Sequence, residues 1–202
     1  MKKGGQKAKG SAFERRVAKI LSEAYYPDGT GEFRRVPLSG GWDKRIVSGD
    51  LIPCKFISGD HYEGGEMVVD KSFPFSIECK DWCDIKHFFS GLYSQESAFF
   101  DWIKQADDDC RSSKKIPVVM FKLFRQEIVC MLKAEDFSKL TDIFGAVIDY
   151  KYYFLRRYPV MRNHTEMAES NLLVFLLLKD FLGWIDLDFF RMRQYIRSFK
   201  KP

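Results

Sequence analysis

Apolar residues recur along this chain at two different spacings, and the switches between them mark out its elements. Over residues 11–25, Phe13, Val17, Ile20, Leu21 and Ala24 fall three or four apart, the period of a helix with one buried face. Ser11 and Glu14 form the Ser-x-x-Glu pattern of a capping box, which predicts a start at Ser11. Tyr25-Tyr26-Pro27 ends the helix, because the residue before proline avoids helical geometry. Residues 28–49 are rich in Gly, Asp, Ser and Arg. Within and after them, Phe33–Pro37 and the stretch entered at Gly49-Asp50 read as strands, with a turn at Ser39-Gly40-Gly41. Gly59, Gly64 and Gly65 mark a hairpin tip, and Met67–Asp70 one of its arms. Phe73–Lys80 is a short strand, and Gln95–Ser112 a helix striped by Phe99, Trp102, Ile103, Ala106 and Cys110. Pro117–Leu123 is continuously apolar, the pattern of a strand buried on both faces, and Glu127–Leu132 repeats it. A short helix is expected over Ala134–Leu140, a strand over Leu172–Leu178 and an amphipathic helix over Asp186–Phe199. The alternation of helices and strands predicts an α/β fold with a mixed central sheet.

The strand Phe73–Lys80 carries the candidate chemistry. Strand side chains alternate faces, so Ser76, Glu78 and Lys80 share one side, while Ile77 and Cys79 share the other. A carboxylate and an ammonium thus stand together on a face backed by apolar residues. Glu78-Cys79-Lys80 says little by itself, since both charged types are common. Its neighbours add weight: Gly49-Asp50 at a strand start, Glu14 on the first helix and Gln105 beside the stripe of a later one. Asp43 and Asp60 are rival acids to Asp50. Asp107-Asp108-Asp109 fans around a helix axis and reads as a solvated face. Each site residue also has a plainer reading: a cap for Glu14, a turn aspartate for Asp50, a surface ion pair for Glu78 and Lys80.

Composition narrows the classes. The chain has 202 residues, enough for a real core, and nineteen Phe with which to fill it. Its net charge of +5 is concentrated at the ends. Lys2, Lys3, Lys7, Lys9, Arg15 and Arg16 crowd the start, an arrangement suited to a polyanion such as DNA. Five cysteines without a CxxC pair and three scattered histidines indicate neither a disulfide framework nor a zinc site. No apolar run is long enough to span a bilayer, and none follows Met1-Lys2-Lys3 as a signal peptide would, so a cytoplasmic setting is expected.

Gly10-Ser11-Ala12-Phe13-Glu14-Arg15-Arg16, Ser39-Gly40, Gly49-Asp50-Leu51, Glu78-Cys79-Lys80 and Gln105 together resemble the PD-(D/E)xK nuclease superfamily. The Gly-Ser-x-Phe-Glu-Arg start and the Ser-Gly before Gly-Asp are similar to its Holliday junction resolvase branch, of archaeal and phage type. The resemblance covers residues 1–125. The distance from Asp50 to Glu78 is longer than is usual in that branch, which puts an insertion near residues 55–70. The resemblance implies a restriction-endonuclease-like core over 11–140; residues 1–10, basic and Gly-containing, read as a flexible arm, and 141–202, without a counterpart in the family, as a C-terminal extension packed on the core or at a dimer interface. It implies an endonuclease of DNA recombination and repair that resolves four-way junctions with Mg2+, for which Mn2+ substitutes; the near two-fold symmetry of such a junction makes a homodimer the expectation. Asp50 and Glu78, with the Cys79 carbonyl, would hold the metal, and Glu14 a second ion or its water. Lys80 would orient the attacking water, Ser39 would touch phosphate and Gln105 would order Lys80 or a water. The rival readings are a nuclease for linear duplex DNA and a DNA-binding protein that kept the fold without catalysis.

Overall fold

The computed structural model of the chain describes residues 4–36, 48–57, 66–81, 98–123, 127–145, 152–155, 172–185 and 187. The elements are helix α1 (Gly4–Tyr25), strands β1 (Gly31–Arg35), β2 (Leu51–Ile57), β3 (Glu66–Val69) and β4 (Phe75–Lys80), and helix α2 (Ala98–Cys110). Strands β5 (Ile116–Leu123) and β6 (Glu127–Lys133), helix α3 (Ala134–Phe144), strands β7 (Tyr152–Leu155) and β8 (Leu173–Leu177) and helix α4 (Leu178–Trp184) come next. All strands join one eight-stranded sheet of order β1-β2-β4-β5-β6-β8-β7, with β3 paired to β2 off that path. The β4–β5 pair is parallel, with α2 in the connection between its strands; the other ladders are antiparallel. The fold is therefore α/β with a central mixed sheet flanked by helices, compatible with a restriction-endonuclease-like core.

The two faces of the sheet are covered by different helices. Ile77, Cys79, Val118, Met120, Cys130 and Leu176 pack with residues of α1, α3 and α4 on one face. Val119, Phe121, Val129, Met131 and Phe175 pack with Phe99, Ile103 and Ala106 of α2 on the other. On α1, Phe13, Val17, Leu21 and Tyr25 are all buried at four-residue spacing, and each contributes about 2 kcal/mol by leaving water. Phe99 locks α2 down by meeting Phe121 and Phe175 with ring centroids 5.5 and 5.4 Å apart. The β4–β5 register sets Glu78 opposite Val119 and Lys80 opposite Phe121. Both polar side chains therefore face α2, while their neighbour Cys79 belongs to the α1 face.

One boundary departs from expectation. The helix starts at Gly4, so Ser11 lies inside it and cannot act as its N-cap. Gln6, Lys7, Ala8 and Lys9 suit a helix, while Gly4, Gly5 and Gly10 each oppose one, so propensity alone does not account for the earlier start. The segment beyond residue 140 also joins the sheet, since β8 pairs with β6 from Val129↔Leu177 to Lys133↔Leu173. The helix expected over Asp186–Phe199, the Ser39-Gly40-Gly41 turn and the hairpin tip lie outside the described residues. No helix among the described residues is long and apolar enough to cross a membrane.

Candidate active site

Asp50 is fixed by a segment that only glycine permits. Gly49 has φ of 78°, and a Cβ there would sit 2.4 Å from the Ile77 carbonyl oxygen. That close approach lets the Asp50 N–H donate to the Ile77 carbonyl at 2.7 Å, while the Asp50 carbonyl accepts from the Val36 N–H at 2.9 Å. Its carboxylate does not fold back on its own turn. It reaches across to β4, where the Cys79 N–H donates to Oδ2 at 2.7 Å. The plainer reading of Asp50 as a turn former therefore fails on geometry.

Glu78, 3 % exposed, is held among polar groups on the α2 side. The Lys80 ammonium donates to Glu78 Oε1 at 2.6 Å and to Gln105 Oε1 at 3.0 Å, and Gln105 Nε2 donates to the same Glu78 oxygen at 2.9 Å. The three side chains close a triangle that ties β4 to the middle of α2. This is a partly buried pair, with Glu78 enclosed, not the surface ion pair that the bare tripeptide allowed. Gln105 is exposed yet engaged with both partners.

The electrostatics of this corner are unfavourable as they stand. Burial, then the charge of Asp50, pushes the Glu78 carboxyl up to about 7, against a lowering by Lys80. Burial also raises Asp50, opposed by the Cys79 N–H and Lys80 and reinforced by Glu14 and Asp109. Among the described residues, the Lys80 ammonium thus serves carboxylates that burial and mutual repulsion both disfavour. Among the described residues, no group of three or more His, Cys, Asp or Glu side chains could hold a metal ion. The Cys79 thiol, buried and pushed well up by burial, packs into the α1 core, which leaves only its backbone facing the site.

Glu14 lies on α1 with its carboxylate paired to Arg35 Nε, and its charge acts on Asp50. As part of the helix interior it has no capping role. Arg15 and Arg16 come directly after it, exposed, on the same turn. Ser39, Lys2, Lys3, Asp43 and Asp60 lie outside the described residues, as do the side chains of Lys7 and Lys9.

Two residues escape the sequence pattern. Arg35 sits in a run with Arg34, and nothing in the pattern says which of them meets Glu14. Asp109 belongs to the acidic run that reads as a solvated face. Asp107 does pair with Lys133 at 2.7 Å and Asp108 with Arg111 at 2.8 Å. Asp109 differs, because its charge bears on both Asp50 and Glu78. Helical spacing from Gln105, one turn away, is the signal that could have found it.

No curated protein and no solved structure matches the chain significantly. A family model does match, over residues 5–169. The match takes in α1, the Gly49-Asp50 segment, the Glu78–Lys80 strand, α2 and much of the chain beyond residue 125. The chain belongs to the family described as "Phage putative PDDEXK endonuclease", a branch of the PD-(D/E)xK nucleases.

Proposed function

We propose that Asp50, Glu78 and Lys80 form the catalytic centre of a divalent-metal-dependent endonuclease that cuts branched DNA, most specifically four-way junctions. The observation carrying this reading is the Glu78–Lys80–Gln105 triangle, with the Asp50 carboxylate anchored on the intervening Cys79 amide. PD-(D/E)xK nucleases typically use divalent metals, and the residues here suit one. The donors are hard carboxylate oxygens that burial and each other's charge leave short of a cation. Magnesium binds through one or two carboxylates and keeps several waters, so Asp50, Glu78 and the Cys79 carbonyl suffice as its protein ligands. Glu14, acting beside Asp50, would hold a second ion or order a water. When bound, the ion supplies offsetting charge to the phosphate and lowers the pKa of an attacking water.

The chain's own residues do the rest. Lys80 places an ammonium where negative charge builds during phosphodiester hydrolysis, in a partly buried setting that strengthens the attraction. Gln105 accepts from that ammonium with its carbonyl and donates to Glu78 with its amide, which orients both side chains. Arg15 and Arg16, with the lysines of residues 2–9, supply phosphate contacts outside the site. Ser39 would touch the scissile phosphate or its neighbour. A four-way junction has near two-fold symmetry and needs two matched cuts, which fits a homodimer with one site per copy.

The test compares a labelled four-way junction with its component duplexes in Mg2+. Paired nicks in the junction, with duplexes left at least about ten times slower, support the branched-DNA reading. Equal rates on both remove that specificity and leave a duplex nuclease. No cutting of either, with DNA binding kept, favours a protein that retained the fold and lost the chemistry.

A further inference from the structure

We infer that Arg35 is a positioning residue that limits the site to one divalent cation: its guanidinium holds the Glu14 carboxylate and fills the place a second ion would take. The inference rests on the reading of Asp50 and Glu78 as the cation site. It decides between the two roles left open for Glu14, a second ion or an ordered water. Backbone pairing puts Arg35 beside Asp50. Arg35 stands opposite Leu51 in the β1–β2 ladder, and the next residue, Val36, donates its N–H to the Asp50 carbonyl at 2.9 Å. Side chains alternate along β1, so Arg35 shares the face of Phe33, whose ring meets Tyr25 of α1 at a centroid distance of 6.0 Å. From that face the Arg35 Nε donates to Glu14 Oε2 on α1. Arg34 lies on the opposite face and pairs with Glu32 instead.

The two arginine pairs differ in setting. The Arg35 and Glu14 side chains are 33 % and 19 % exposed, against 51 % and 39 % for Arg34 and Glu32. Solvent and salt therefore weaken the Arg35–Glu14 attraction less. A guanidinium also keeps its charge at every working pH. A divalent ion arriving at Glu14 has either to displace Arg35 or to sit against its positive charge. Asp50 presents no such obstacle. It forms no ion pair among the described residues, and its Oδ2 meets only the Cys79 N–H. The first ion thus goes to Asp50 and Glu78, while Glu14 keeps its arginine and has Oε1 left to order a water.

The test is calorimetric titration of Mn2+ into the full-length protein without DNA, with the folding of each variant checked by its melt. Wild type is expected to bind one ion per chain. Arg35→Ala, or Arg35→Gln if the alanine variant does not fold, frees Glu14 and is expected to bind two. Adding Glu14→Gln to that variant returns the count to one. Arg35→Lys keeps a positive charge beside Glu14 and stays at one. Arg34→Ala, whose parent pairs on the opposite face, leaves the count and affinity of wild type unchanged. A wild-type protein that binds two ions per chain overturns the inference. So does a folded Arg35→Ala or Arg35→Gln protein that still binds one, or a second ion that survives Glu14→Gln. A wild-type protein that binds no Mn2+ removes the cation-site reading itself, and this inference with it.

Discussion

Two buried acids in one sheet have opposite fates. Asp70, just after β3, is 4 % exposed, and Glu78, on β4, is 3 % exposed. Burial raises the pKa of both. Around Asp70 the fold supplies compensation: Lys55 at 2.8 Å, the Tyr26 hydroxyl at 3.0 Å, and the Ser72 N–H at 2.9 Å together with the Ser72 hydroxyl. Those donors outweigh burial, and Asp70 ends below the usual carboxylate range. Glu78 has Lys80 and Gln105, but it also has the charge of Asp50, and it ends near neutrality. The difference teaches that burial of an acid does not mark a functional site. A buried acid left under-compensated beside a second acid is the stronger candidate, because it needs a proton or an added cation to complete it.

That contrast can be broken from either side. The largest effect is expected at Lys80. Lys80→Ala removes the ammonium that, among the described residues, serves the acidic pair, and cleavage should fall on the order of 10³-fold, measured as single-turnover rates on labelled DNA. Asp70→Ala should do the reverse. It strands Lys55, Tyr26 and Ser72, costs about 3 kcal/mol in a urea melt, and leaves the rate per folded molecule near wild type. If Asp70→Ala abolishes cleavage without destabilising the fold, the contrast is wrong.

The pH dependence sharpens it further. Glu78 has a folded pKa of about 7 against an ordinary value of 4.5 in the unfolded chain, so between those values the folded form binds more protons. Its contribution is present below pH ~4.5 and is lost as pH rises through ~7, with the raised Asp50 adding in the same direction. Glu78→Gln should therefore stabilise the metal-free protein by about 2 kcal/mol at pH 8 and by almost nothing at pH ~4.5, read from melts across pH. An unchanged pH profile would show that Glu78 is not under-compensated. The smallest effect is expected outside both acids. Arg15→Ala with Arg16→Ala should weaken DNA binding and flatten its log–log salt dependence by about two contacts, leaving both carboxylates undisturbed.

Most of the site's strand and helix can be read from the sequence, and the reasons are physical. Period-two alternation along Phe75–Lys80 puts Glu78 and Lys80 on one face whatever the neighbours are, and the α2 stripe orients Gln105 toward them. The parts that escape depend on long-range geometry. Gly49-Asp50 can be named a candidate from the sequence, but not its anchoring by a 2.7 Å bond from the Cys79 N–H, twenty-nine residues away. The Asp70 network joins a hairpin arm to the end of α1 and to a turn, and no local spacing announces it. Asp109 looks like one of three equal acids because a helix period fixes direction but not which face finds a partner. The helix start departs from the capping signal at Ser11, worth about 1 kcal/mol, and local propensity does not explain it, since Gly4, Gly5 and Gly10 lie in the added turns. The strand character of β8 is legible in its apolar run, but its place beside β6 is not, since tertiary packing sets that pairing.

The central claim is that the acids beside Lys80 cut DNA. The measurement that addresses it most directly is Mg2+-dependent cleavage by Glu78→Gln, a variant whose folding is checked in the same preparation by its melt. The account predicts a protein at least as stable as wild type at pH ~8 that binds DNA and leaves every phosphodiester intact. A folded Glu78→Gln protein that cleaves at the wild-type rate would contradict it.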